Sequence, residues 1–303
     1  MTQVGGPVPG AAHLPVHVEG EVVASKRIGG YRHLTLTAPG VPEAFRAGNF
    51  VAVSVEGHVA RRALWVHRVR ASSAYGPTLD VVVEPRGAGT AWLAAQPVGA
   101  RVAITGPLGR PFALPKEAVS CLLVGEGYAA APLFPLAERL RERGCAVSLV
   151  VSAPDESRLL SALEARRAVR SVTVLTADGS VGQRGTVAEH VDDLVRRTDA
   201  DVVYAAGPTG VLRAAAAAAE RGGAWSQVAV ETAVPCGTGL CHGCPLPVVG
   251  EDGVDRVVRA CTEGPVVRGD RVRWDALTTP RNPAPPPLRS SAARFRGDPG
   301  AAR

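Results

Sequence analysis

Four cysteines near the C-terminal end, spaced Cys236-x4-Cys241-x2-Cys244-x16-Cys261, restrict the local fold more than any other feature of the sequence. Three thiols crowd into 236–244, separated by Gly237, Gly239 and Gly243. Glycines admit tight, partly left-handed backbone, so the pattern predicts a loop wrapped around a metal centre instead of a helix or strand. A C-x4-C-x2-C run with a distant fourth cysteine is the plant-type ligand set of a [2Fe–2S] cluster. A structural zinc more often takes two close C-x2–4-C pairs, and Cys241/Cys244 is the single pair of that kind here. The four thiols are therefore expected to be metal ligands, with zinc as the alternative. His242, between ligands, is expected to face solvent because four thiolates complete the set. Cys121 and Cys145 fall in apolar strand-like runs, where a free cysteine behaves as a small buried apolar residue.

The hydrophobic period divides the rest of the chain. From Leu14 to about Phe112 the sequence runs in short alternating stretches: PVHVEGEVVASKRI, YRHLTLTA, FVAVSVE, RALWVHRV, TLDVVVE and RVAITG. Turn signals such as Gly29-Gly30 and Pro39-Gly40 separate them, and a helix-like TAWLAAQ follows Gly89. This predicts a six-stranded antiparallel β barrel over 13–113. After Pro111, apolar runs (SCLLVG, CAVSLVVSA, SVTVLTA, DVVYAAG, SQVAV) alternate with helical ones (APLFPLAERLRERG, ESRLLSALEARR, TVAEHVDDLVRR, VLRAAAAAAERG). Alternation of that kind predicts a doubly wound α/β domain with a parallel sheet over 117–230. Residues 231–277, with strand-like DRVVRA and DRVRWDAL, are too few for an apolar core of their own, so a bound metal centre is expected to organise them. The expected fold class is thus multidomain: β barrel, α/β domain and a small C-terminal cluster domain.

Composition narrows the function classes. Of the formal charge of +6, the tail from 279 supplies +4 through Arg281, Arg289, Arg294, Arg296 and Arg303 against Asp298. The body is therefore near neutral, which argues against a nucleic-acid-binding face. No apolar run approaches the ~18 residues a spanning helix needs, so no membrane association is expected. With no export signal, a cytoplasmic chain whose cysteines bind metal is expected. The Pro/Gly-rich 1–12 and the Pro/Arg-rich 279–303 are expected to be disordered.

Three further motifs occur in order. They are Gly87-Ala88-Gly89-Thr90; Gly106-Pro107-Leu108-Gly109; and Ala206-Gly207-Pro208 after a loose G-x-G-x-x-A at Gly125, Gly127 and Ala130. With the cysteine spacing, they make roughly 14–277 resemble the electron-transfer subunit of the two-component, NAD-dependent dihydroorotate dehydrogenase, in the ferredoxin-reductase superfamily. The resemblance implies an FAD-binding barrel, an NAD-binding domain and a [2Fe–2S] domain. It implies that Arg62, Gly87, Gly89 and Thr90 hold FAD, and that Gly125, Gly127, Gly207 and Pro208 meet NAD. It also implies a separate FMN-containing catalytic subunit as partner in a heterotetramer acting in pyrimidine biosynthesis, and no catalytic acid or base on this chain.

Three positions depart from the family pattern. Where it has Arg-Pro-aromatic-Ser, this chain has Arg62-Ala63-Leu64-Trp65, so an indole replaces the hydroxyl near the flavin ring. Trp65 either stacks on a flavin or fills its space. Glu126 brings a carboxylate close to the expected nucleotide pyrophosphate, and Ala206 replaces a cysteine. The rival expectations are a cluster-bearing regulatory subunit that has lost flavin or NAD binding, and a zinc-stabilised interaction protein.

Overall fold

The computed structural model describes residues 14–277; both expected disordered ends lie outside the described residues. The first unit comprises β1 (Val16–Ile28), β2 (Tyr31–Thr37), α1 (Val41–Ala44), β3 (Phe50–Val53), β4 (Arg62–Arg70), β5 (Thr78–Val83), α2 (Ala88–Ala94) and β6 (Arg101–Leu108). Its six strands close into an antiparallel barrel in the order β1-β2-β5-β4-β3-β6, β6 pairing back onto β1. Alternation is the cause: Leu34 and Leu36 on β2 and Leu79, Val81 and Val83 on β5 point inward, where Val51, Val66 and Ile104 meet them. Each of the large apolar side chains buried there contributes about 1.5–3 kcal/mol.

The second unit follows as β7 (Ser120–Glu126), α3 (Leu133–Glu142), β8 (Ala146–Ala153), α4 (Ala162–Ala168), β9 (Ser171–Thr176), β10 (Gln183–Arg184), α5 (Val187–Thr198), β11 (Val202–Ala206), α6 (Thr209–Arg221) and β12 (Trp225–Ala229). These strands pair in parallel in the order β10-β9-β8-β7-β11-β12. The chain winds outward from β7 through β8 to β9, then returns to β11 on the other side of β7. Right-handed crossovers then place α3 and α4 on one face and α5 and α6 on the other. The order reverses between β7 and β11, so a crevice opens at their C-terminal ends, where ligands bind in open α/β sheets.

The third segment holds β13 (Pro245–Val249), β14 (Asp255–Arg259), α7 (Ala260–Glu263) and β15 (Val266–Arg268). The β13–β14 hairpin is a separate two-stranded sheet, bridged to the chain's later turn through Val248 and Val272, whereas β15 pairs antiparallel with β12 as the last strand of a seven-stranded sheet. Two expectations are corrected here. DRVRWDAL is not a strand: it forms short 3-10 turns at Gly269–Arg271 and Trp274–Ala276, and the strand lies just before it, where Val266 is buried opposite Ala229. ESRLLSALEARR is not one helix, because Ser161 adopts φ +47° and separates a 3-10 turn from α4. The turn is tied to the barrel, with the Gly30 N–H on the Ser157 carbonyl at 2.7 Å, while Leu160 turns into the core. Among the described residues, no helix is long and apolar enough to cross a membrane.

Candidate functional site

The cysteine loop lies between β12 and β13, and α7 supplies the fourth thiol. The sulfurs meet as two pairs. Cys244 Sγ donates to Cys261 Sγ at 3.3 Å in a buried inner pair. Cys236 and Cys241 form an outer, more exposed pair. Backbone amides point at the sulfurs: Gly239 N–H at Cys261 (3.2 Å), Thr238 N–H at Cys236 (3.4 Å) and Gly243 N–H at Cys241 (3.4 Å). Gly239 needs its φ of +80°, and a side chain there would meet Thr262 Cγ2 at 2.8 Å.

The thiols are correspondingly perturbed. Although burial works the other way, the amides of Cys241 and Thr238 hold the Cys236 thiol down at about 6. Burial and the neighbouring Cys244 push the Cys261 thiol up to about 12. Thiolate donors in two pairs, each met by N–H groups, suit two irons with two thiolates apiece. His242 is exposed.

A cleft of about 420 Å³ opens between the barrel and the crevice of the α/β sheet, and Thr90, Glu126, Gly127, Gly207 and Pro208 all line it. Gly125 sits behind it at the end of β7, where a Cβ would come within 2.5 Å of Ala130 Cβ; its absence lets the following helix pack close to the strand. Glu126 and Gly207 touch across the switch point, the Glu126 Cβ lying 3.3 Å from where a Gly207 Cβ would stand. The Glu126 carboxylate accepts from Ser152 Oγ at 3.2 Å, and burial raises its pKa.

On the barrel side, the Arg62 guanidinium lies where a Cβ on Gly89 would be, at the start of α2. It donates to the Ala60 carbonyl at 2.7 Å. Thr90 Oγ1 accepts from the N–H groups of Arg86 (3.0 Å) and Gly87 (3.1 Å), so this hydroxyl closes the helix's own first turn. The arrangement presents a guanidinium and a glycine-lined turn together, a cradle suited to phosphate oxygens.

Sequence reasoning did not find the hydrogen-bonded centre of the cleft. The Trp65 indole N–H donates to Glu231 Oε1 (2.9 Å) and the Tyr128 hydroxyl to Oε2 (2.6 Å). The Arg86 guanidinium lies 4.7 Å from the centre of the Tyr128 ring. Burial raises the Glu231 carboxyl above the usual carboxylate range, against the pull of its two donors. Trp65 is thus tied across the cleft to the segment that leads into the cysteine loop. No spacing rule joins residues 65, 128 and 231, which come from three different units.

A closed antiparallel barrel, a switch-point cleft facing it and a doubly wound domain define a ferredoxin-reductase-like protein. Ferredoxin reductase in carbazole 1,9a-dioxygenase shares this fold, at 22% identity and TM-score 0.59, over 69% of this chain and 67% of that one. A chain of the NADH-dependent reduced ferredoxin–NADP oxidoreductase, described for flavin-based electron bifurcation, aligns at TM-score 0.75 with 28% identity, over 84% of this chain and 90% of its own. The family model for the iron–sulfur cluster binding domain of dihydroorotate dehydrogenase B matches residues 231–273. The dihydroorotate dehydrogenase B (NAD(+)) electron transfer subunit of Bacillus caldolyticus is 32% identical, over 82% of this chain and 96% of its own length. The corresponding homolog from Thermotoga maritima is 30% identical, over 79% and 82%. The chain belongs to the family of dihydroorotate dehydrogenase B electron transfer subunits.

Proposed function

We propose that this chain passes electrons from the FMN of a dihydroorotate-oxidising catalytic subunit, by way of a [2Fe–2S] cluster and FAD, to NAD in pyrimidine biosynthesis. The observation that carries the reading is the paired cysteine loop, with an N–H on a sulfur of each pair, joined through Glu231 to the wall of the cleft. Cys236, Cys241, Cys244 and Cys261 hold the cluster. Arg62 with the turn at Gly87, Gly89 and Thr90 holds the FAD phosphates, and Gly125, Gly127, Gly207 and Pro208 receive the nicotinamide nucleotide. When bound, a cluster exchanges one electron at a time and a flavin one or two, which is the chemistry needed to join a flavin partner to a hydride carrier. The chain's own work is binding, spacing and exclusion of water; none of its residues serves as a general acid or base.

The partner is the FMN protein, in a heterotetramer, and the site of action is the cytoplasm. Co-expression with the FMN-containing catalytic chain tests this. The complex should reduce NAD with dihydroorotate, and the isolated chain should not. A catalytic chain that neither binds this subunit nor gains NAD reduction from it would sink the proposal. One observation favours a second reading, a cluster-bearing regulatory subunit: the bond from Trp65 to Glu231 occupies the cleft where the family has a flavin-facing hydroxyl. Iron without FAD in the purified complex would select that reading.

A further inference from the structure

Arg259 ends β14, two residues before Cys261, and its side chain reaches back over the cysteine loop. Its Nη1 donates to the Gly239 carbonyl at 3.1 Å, and its Nε donates to Glu263 Oε2 at 3.3 Å. Its backbone N–H meets the same carboxylate oxygen at 3.0 Å. Gly239 is thereby held at both ends, its carbonyl by Arg259 and its N–H on the buried Cys261 sulfur at 3.2 Å. Having no side chain, and no room for one against Thr262, Gly239 depends on these two contacts for its orientation.

We infer that Arg259 is a positioning residue for the iron–sulfur centre: it fixes the Gly239 peptide against Cys261 and sets a positive charge on the carbonyl side of that peptide, raising that centre's reduction potential. The inference rests on the cluster reading given above. Adding an electron to an anionic cluster is favoured by a nearby cation and by N–H groups on its sulfurs, which are the ordinary protein levers on such potentials. Glu263 works against the charge part, because its carboxylate neutralises the guanidinium it holds. The two side chains are 40% and 38% exposed, so solvent screens both effects. Arg259→Gln should therefore shift the oxidised-to-reduced ratio at fixed potential by about three- to tenfold, tenfold being ~59 mV for one electron.

The test uses the full chain purified without oxygen. Iron and sulfide analysis comes first: a wild type without iron refutes the cluster reading itself, separately from the role of Arg259. Titration with dithionite, followed by electron paramagnetic resonance, then gives the potential of each variant. Arg259→Gln should lie below wild type, Glu263→Gln above it, and Arg259→Lys, which keeps the charge but not the fork, between wild type and Arg259→Gln. Full iron content with all potentials within about twofold of wild type, or ~18 mV, would overturn the inference. So would shifts of the same sign in Arg259→Gln and Glu263→Gln. Should Arg259→Gln lose its iron, Arg259→Lys decides: retained iron at a potential near wild type supports the role, and lost iron removes it.

Discussion

Replacing Glu231 with leucine removes the acceptor that ties the barrel to the nucleotide loop while nearly keeping side-chain volume. Trp65 is 8% exposed, so its stranded indole N–H has little access to water and costs about 1–3 kcal/mol. Tyr128 is half-buried and loses its bond to the same carboxylate, adding about 0.5–1.5 kcal/mol. The expected loss is then about 1.5–4.5 kcal/mol, a large part of the ~5–15 kcal/mol that holds a typical domain folded. Trp65→Phe removes one donor from the same bond. In a double-mutant cycle with Glu231→Leu, the pair should show a coupling of about 1–2 kcal/mol, since the second substitution no longer strands a partner. Urea unfolding followed by circular dichroism measures all four corners. Additivity within about 0.3 kcal/mol, or a Glu231→Leu loss below ~0.5 kcal/mol, would refute the bond as a structural tie.

Gly125→Ala puts a Cβ 2.5 Å from Ala130 Cβ and 3.0 Å from Leu133 Cδ1; overpacking there should cost about 1–3 kcal/mol and weaken NADH binding in equilibrium titration, and unchanged stability would contradict the close packing. Burial holds the His67 imidazole down at about 4, below its unfolded value, so the stability it contributes is present above pH 6.5 and lost as the pH falls toward 4. That loss is about 3 kcal/mol, and His67→Gln should flatten the stability profile between those pH values; an unaltered slope would assign the acid sensitivity elsewhere. Glu126→Gln removes a carboxylate lining the cleft and should tighten NADH several-fold, up to about tenfold at low salt, the repulsion of ~3 kcal/mol at 5 Å and dielectric 20 being reduced by screening. Because burial raises the Glu126 pKa, the gain should shrink as the pH is lowered, and no gain at any pH would show that its bond to Ser152 keeps the carboxylate clear of the nucleotide.

Local periodicity made the barrel and the α/β sheet legible, because alternation such as Leu34/Leu36 against Leu79/Val81 is written within single strands. The cysteine loop was legible for a similar reason, since three of its sulfurs and their glycines lie within one short stretch. What the sequence concealed was set by distant contacts. Val266–Arg268 becomes a strand because β12 presents an open edge, and the helix expected around Ser161 breaks where Leu160 turns inward and the barrel hairpin grips Ser157. The Trp65–Glu231–Tyr128 centre was invisible for the same reason. Trp65 could be recognised as a departure from a flavin motif, but its acceptor Glu231 stands 166 positions away along the chain, and the second donor to that carboxylate, Tyr128, stands 63 away.

The most direct measurement of the central claim is the iron, acid-labile sulfide and zinc content of the full chain purified without oxygen, read with its visible spectrum. About two irons and two sulfides per chain, with the charge-transfer absorption of a [2Fe–2S] centre that is lost in Cys244→Ser, is the predicted result. One zinc per chain with no iron and no visible absorption from a cluster would contradict it.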